Sequence, residues 1–187
     1  MSKSHYTYTA LFCEENIWLL AKSLQIEGKK LEQLKILFLS NTKKQIALFE
    51  QQSAPLGQAV IWDYHVLLLE QSAQGDSIYD FDSRLPFPCP AHQYFYSSFP
   101  EPQKLPQRLH FFIREIPAKN YLLQFYSDRE HMKNQIPLEQ FPPYPIIENS
   151  PESDRIVLQD YWDMQKEIND GSRVYAYHSV FQHLTQT

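Results

Sequence analysis

The sequence predicts an α+β protein with a mainly antiparallel sheet, and three observations carry that expectation. Apolar residues recur at helical spacing near the start of the chain, at Ile17, Leu20, Ala21 and Leu24. Runs rich in β-branched, aromatic and aliphatic residues follow, joined by short polar connectors that favour antiparallel pairing. The last third is mixed. Helix, then strands, then mixed elements is the order of α+β proteins. A chain of 187 residues suits one domain spanning 1–187, large enough to bury a full core.

Residues 1–10 read as a loose lead-in. The helix runs from Cys13 to about Leu24, with Glu14, Glu15 and Asn16 in the first turn, where acidic side chains favour the macrodipole. Cys13 therefore stands at or just before a helix amino terminus. Unpaired N–H groups there lower a thiol pKa, neighbouring glutamates raise it, and the sequence does not sign the sum. Residues 34–40 predict a strand, and 45–49 its partner across an Asn41-Thr42 turn. The strongest strand signal is 60–69. Period-2 geometry puts Val60, Trp62, Tyr64, Val66 and Leu68 on one face, and Ile61, Asp63, His65, Leu67 and Leu69 on the other. A short polar connector containing Gly75 leads into 77–81, so a hairpin brings Asp80 within a residue or two of His65.

Pro86, Pro88 and Pro90 bar 84–90 from helix or central strand. Residues 91–99 are weakly helical and 100–108 form a proline-rich loop. Residues 109–116 predict a strand ended by Pro117, with a short helix over 118–125. Ser127 and Glu130 match a capping box, predicting one helical turn at 128–133. Residues 141–145 are extended and polyproline-like. Their alternative role is as a ligand for a proline-recognising module; their plain one is a wall of the protein's own surface. Residues 173–177 predict a strand, and Ser179 caps a terminal helix through Leu184.

A formal charge of −5 and a pI near 5.8 argue against an electrostatic nucleic-acid footprint. No apolar run reaches membrane-spanning length, and the first residues lack the apolar core of a secretory signal. Cys13 and Cys89 alone do not make a disulfide framework in a chain this long, which fits a reducing, cytoplasmic compartment.

Cys13, His65 and Asp80 have the types that a thiol acyl-transfer site needs. A thiolate attacks a carbonyl carbon, an imidazole shuttles the proton, and a carboxylate fixes the tautomer. Each also has a plain alternative: a small buried hydrophobe, a satisfied core histidine and a strand-end cap. Metal binding competes weakly. Cys89 and His92 make one C-x-x-H pair, whereas a structural zinc site takes four ligands, and nothing in the spacing recruits Cys13, His110 or His131.

At these same residues the sequence resembles the protein N-terminal glutamine amidohydrolase family. The resemblance is carried by Cys13-Glu14-Glu15-Asn16-Ile17-Trp18, by Val60-Ile61-Trp62-Asp63-Tyr64-His65-Val66, and by Ile78-Tyr79-Asp80 with Leu85-Pro86-Phe87-Pro88-Cys89. Ser127-Asp128-Arg129 with His131-Met132-Lys133 as one block, and Pro142-Pro143-Tyr144-Pro145 as another, add two more, in matching order from Cys13 to about Leu184. The stretch 134–141 departs from it in lacking a tryptophan.

The resemblance implies a papain- or transglutaminase-like α-β-α layered fold and a monomeric enzyme, in the cytoplasm and, in a eukaryote, also the nucleus. It implies conversion of the N-terminal glutamine of a polypeptide to glutamate with release of ammonia. It assigns the nucleophile to Cys13, the histidine to His65 and the aspartate to Asp80. Attack on the side-chain carboxamide, departure of ammonia and hydrolysis of a thioester need no metal or organic cofactor. Two other classes stand beside this one: a thiol enzyme acting on internal residues, and a non-catalytic binder of glutamine-bearing termini. A pocket selecting a free α-amine should offer a carboxylate. Strand alternation nominates Asp63 and Asp82, with Glu14 and Glu15 nearby.

Overall fold

A computed structural model describes residues 2–148 and 151–179. Helix α1 (Cys13–Ile26) buries the predicted stripe of Ile17, Leu20, Ala21 and Leu24. It ends in a Schellman motif. The N–H groups of Lys29 and Gly28 bond to the carbonyls of Leu24 and Gln25, with Gly28 at a φ of +93° that L side chains rarely adopt.

Strand β1 (Leu34–Ser40) matches its prediction and lies mid-sheet. Next come β2 (Ile46–Leu48), β3 (Val60–Trp62), β4 (Tyr64–Glu70), β5 (Ser77–Tyr79), β6 (Cys89–Pro90) and α2 (Ala91–Ser98). The rest of the chain supplies β7 (Phe112–Pro117), α3 (Ala118–Gln124), β8 (Phe125–Ser127), β9 (Ile147–Glu148), β10 (Ile156–Val157), α4 (Leu158–Trp162) and β11 (Arg173–Ala176). The main sheet has six strands in the order β11-β7-β1-β4-β5-β6, each neighbouring pair antiparallel. The fold is α+β, as predicted.

Alternation in the two central strands gives the sheet two apolar faces. Ile36, Phe38, Tyr64, Val66 and Leu68 join a core with residues of α1, α3 and α4. Leu37, Leu39, Leu67 and Leu69 join a second core with Tyr94 and Phe95 of α2. Each fully buried side chain of this size contributes roughly 1.5–3 kcal/mol relative to exposure. Both faces are covered by helix, so β4 is buried along its whole length.

The structure corrects several expectations. The 60–69 run is two strands, because Asp63 turns its own groups into a bend. Its Oδ1 accepts the Tyr64 N–H (3.0 Å), and its carbonyl accepts the Ser40 hydroxyl (3.0 Å). Strand β2 pairs with β3, in a small sheet of their own, and not with β1. Asn41 diverts the chain there by donating to the carbonyls of Gln45, Arg108 and His110. The lead-in is pinned rather than loose: Lys3 donates to the carbonyls of Phe81 and Ser83, and Tyr6 is buried in the core. Ser127 caps nothing; at the turn Glu130–Met132 the N–H of Glu130 donates to the Asp128 carboxylate instead (2.9 Å). A helical turn begins at 177, so Ser179 lies inside it rather than capping it, and residues 180–184 fall outside the described residues.

Candidate active site

Within β4 it is Leu68–Glu70 that pair with β5, so the first half of β4 runs past the end of β5. The chain leaving β5 continues through Asp80, and here the predicted contact forms. His65 Nε2 lies 3.0 Å from Asp80 Oδ1, with both side chains almost fully buried. Asp80 is saturated: Gln51 Nε2 (3.0 Å) and the Tyr94 hydroxyl (2.7 Å) donate to Oδ2, and the Asp82 N–H (2.9 Å) donates to Oδ1. Burial alone would raise this carboxyl, but His65 and the Gln51 and Tyr94 donors outweigh it and bring it down to about 2. Burial would likewise lower His65. The charges of Asp80 and Asp82 outweigh it and hold the imidazole above its ordinary value.

Cys13 is the first residue of α1, and its helix has no side-chain cap. Helix α1 packs on β4, the strand that carries His65. Burial first, then the charges of Glu14 and Asp82, push the thiol well up, which settles the sign the sequence left open. The sulfur also lies 3.7 Å from Glu14 Oε2.

Two consecutive glutamates follow, both wholly buried. Glu15 is fully engaged: Ser127 Oγ (2.6 Å) and Arg129 Nε (2.9 Å) donate to Oε1, and Arg129 Nη2 (2.8 Å) to Oε2. Glu14 takes the Tyr64 hydroxyl (2.8 Å) and the more distant Cys13 thiol (3.7 Å), both on Oε2; its Oε1 is buried without a hydrogen-bond partner. Burial raises Glu14 to about 7, against the pull of Tyr64 and Cys13.

The two remaining nominees are less enclosed than Glu14. Asp63 is exposed and sits in the bend, so it does not share a strand face with His65. Asp82 is half-buried beside the His65–Asp80 pair, with the Tyr8 hydroxyl donating to its Oδ1 at 2.5 Å. Among the described residues, His65, Asp80 and Asp82 are the group whose ligand atoms come close enough to hold a metal ion, all within 4.8 Å. The His65–Asp80 bond and the Asp82–Tyr8 bond already account for their positions. Cys89 is buried in the second core, whereas His92 is exposed, so the C-x-x-H pair does not converge.

A family model described as N-terminal glutamine amidase matches residues 8–184. The chain belongs to that family. It is 38% identical over 186 residues to a protein N-terminal glutamine amidohydrolase of Danio rerio, covering 97% of this chain and 91% of that protein. Proteins of the same name from Bos taurus and Homo sapiens are each 38% identical over 169 residues, covering 88% of this chain and 81% and 82% of theirs.

The span matched by the amidase family holds every group described above except Lys3 and Tyr6. Some of these groups escaped sequence reading. Gln51 and Tyr94 reach Asp80 from distant segments, and no local pattern marks them. Tyr64 carried a usable signal, since a tyrosine on a buried strand face needs a partner for its hydroxyl.

Proposed function

We propose that this protein hydrolyses the side-chain amide of an N-terminal glutamine, through Cys13, His65 and Asp80 and a thioester intermediate. The observation that carries the reading is the buried His65–Asp80 pair, 3.0 Å apart, with Cys13 opening the helix that packs on β4, the strand that carries His65. Membership of the amidase family supports the substrate. Helices on both sheet faces support a papain- or transglutaminase-like layering within one catalytic unit.

With Nε2 committed to Asp80, Nδ1 is the imidazole nitrogen left for the thiol. The raised thiol pKa means that Cys13 rests protonated, so His65 takes the proton as the sulfur attacks the side-chain carboxamide carbon. The uncapped first turn of α1 offers N–H groups to the tetrahedral oxyanion. Collapse breaks the C–N bond, His65 returns the proton, and ammonia leaves. Water deprotonated by His65 then cleaves the thioester, giving glutamate and restoring the thiol.

The test is ammonia release from peptides that differ only in residue one, with an N-acetylated and an internal-glutamine control. Release from the free Gln-first peptide alone is expected. Equal release from internal glutamine overturns the terminal specificity in favour of a transglutaminase- or protease-like enzyme. Binding of the Gln-first peptide without release leaves a non-catalytic binder.

A further inference from the structure

We propose that Glu14 and His131 seat the substrate's free α-amino group, with Glu14 Oε1 and His131 Nε2 accepting its N–H donors. This rests on the deamidase reading above. It supplies what that reading lacks, a physical reason to act only on residue one.

Leaving a buried acceptor without a donor costs free energy, and more so for a carboxylate. Glu14 Oε1 is such an atom, and His131 Nε2 is a second. They face each other at 3.7 Å, too far apart for a hydrogen bond. A group with several donors completes both at once, and an ammonium has three. His131 can accept, because burial pushes its pKa down, against the charges of Asp128, Asp63 and Glu15, and so favours the neutral ring. Its ring packs edge-on against Trp162 (6.5 Å), which in turn packs on Tyr64 (5.1 Å), fixing the acceptor in place. Trp162 also lines a cleft of about 450 Å³, with Ser40, Lys44 and Met164.

The position suits glutamine. Glu14 Oε2 stands 3.7 Å from the Cys13 sulfur. The α-nitrogen and side-chain carbonyl carbon of glutamine lie about 5 Å apart when extended. An amine on the far oxygen of Glu14 therefore leaves the carboxamide within reach of the thiol. An internal or acetylated glutamine brings a neutral amide nitrogen with one N–H and a preceding chain. Of the four carboxylates named from the sequence, Asp63 and Asp82 are less buried and already hold a donor, and both oxygens of Glu15 are taken. Glu14 alone is wholly buried with an open oxygen.

Proton linkage adds a second signature. Cys13, Glu15, Tyr64 and His131 surround Glu14, which burial raises to about 7. A bound cation ionises it, so binding below pH 7 releases a proton. Affinity should rise as pH passes about 7, then fall as the free amine, with a reference pKa of about 7.7–8.0, loses its charge.

The experiment measures calorimetric binding of a Gln-first peptide and its N-acetylated twin to the Cys13→Ala protein. The same is done with Glu14→Gln or His131→Phe added, and ammonia release is assayed in parallel on the wild type. The parent should prefer the free amine. Glu14→Gln should weaken that peptide by about 10- to 150-fold, the value of one charged hydrogen bond. His131→Phe should weaken it by about 2- to 10-fold, with the acetylated twin unchanged in both. Full discrimination in Glu14→Gln overturns the seat while leaving deamidation standing; absence of ammonia release from wild type overturns deamidation itself. If Glu14→Gln does not fold, His131→Phe and proton counting decide. A parent that binds at pH 6 without releasing a proton refutes the proposal.

Discussion

Asp80 and Glu14 are both buried carboxylates beside the same strand, and their surroundings have opposite effects. Asp80 accepts four hydrogen bonds and falls to about 2; Glu14 accepts one hydroxyl and a distant thiol, keeps an oxygen bare and rises to about 7. Burial is common to both, so the rest decides the sign: Asp80 has the His65 charge and several donors, whereas Glu14 has fewer donors and the Glu15 charge beside it. A saturated carboxylate is fixed and holds its neighbour in one orientation. An unsaturated one has unused capacity that a ligand can fill. Glu15, next in sequence to Glu14 and equally buried, belongs with Asp80: its oxygens are taken by Ser127 and Arg129.

Five substitutions test this contrast, starting with the reacting atom. Cys13→Ala should lower deamidation on the order of 10⁵-fold or more, the scale for losing a nucleophile. Cys89→Ala, deep in the second core, should keep most of the activity and lose stability instead. Equal activity losses would show that the helix start has no special role. Asp80→Asn should cut turnover by about 10⁴-fold by presenting the wrong tautomer, with substrate binding kept. Normal turnover would show that saturation around Asp80 is structural only.

Arg129→Met leaves the Glu15 carboxylate buried without its cation. A loss of about 3–5 kcal/mol in chemical denaturation is expected. Glu14→Gln should do the reverse. The folded value of Glu14 lies above its ordinary 4.5, so at pH 4 both folded and unfolded states are largely protonated and little is lost. As pH rises to about 7 the unfolded chain ionises first, and wild type loses stability; above 7 the penalty is complete, at about 3 kcal/mol. The variant should therefore match wild type near pH 4 and exceed it by up to that amount at pH 8. A variant less stable at pH 8 would mean that Glu14 is satisfied after all.

The same contrast explains what the sequence made legible. Contacts set by local geometry could be read: Cys13 at the helix start, β1 at its full length, and Asp80 beside His65 across a hairpin. Contacts set by distant segments could not. Gln51 reaches Asp80 from a loop and Tyr94 from α2, and neither carries a pattern of its own. The bend at Asp63 was hidden because apolar alternation continues through it, while the groups that stop the strand are the aspartate's own carboxylate and carbonyl. Ser127 mimicked a cap because capping boxes are defined by spacing, whereas its hydroxyl is spent on Glu15, 112 positions away.

Three of the four residues of the 142–145 stretch are prolines, so the stretch has almost no N–H to offer and can be held only through its carbonyls. Arg129 is all donors. It grips the carbonyls of Pro142, Tyr144 and Pro145 while holding Glu15 in the first turn of α1. Letting go of the stretch thus loosens the helix start as well, and the two should open as one cooperative unit. In hydrogen exchange, the amides of Tyr144 and of the α1 residues whose bonds break in that opening should share one exchange free energy, below that of β1 and β4. Thiol labelling of Cys13 would then follow the opening of a proline segment more than 100 positions down the chain.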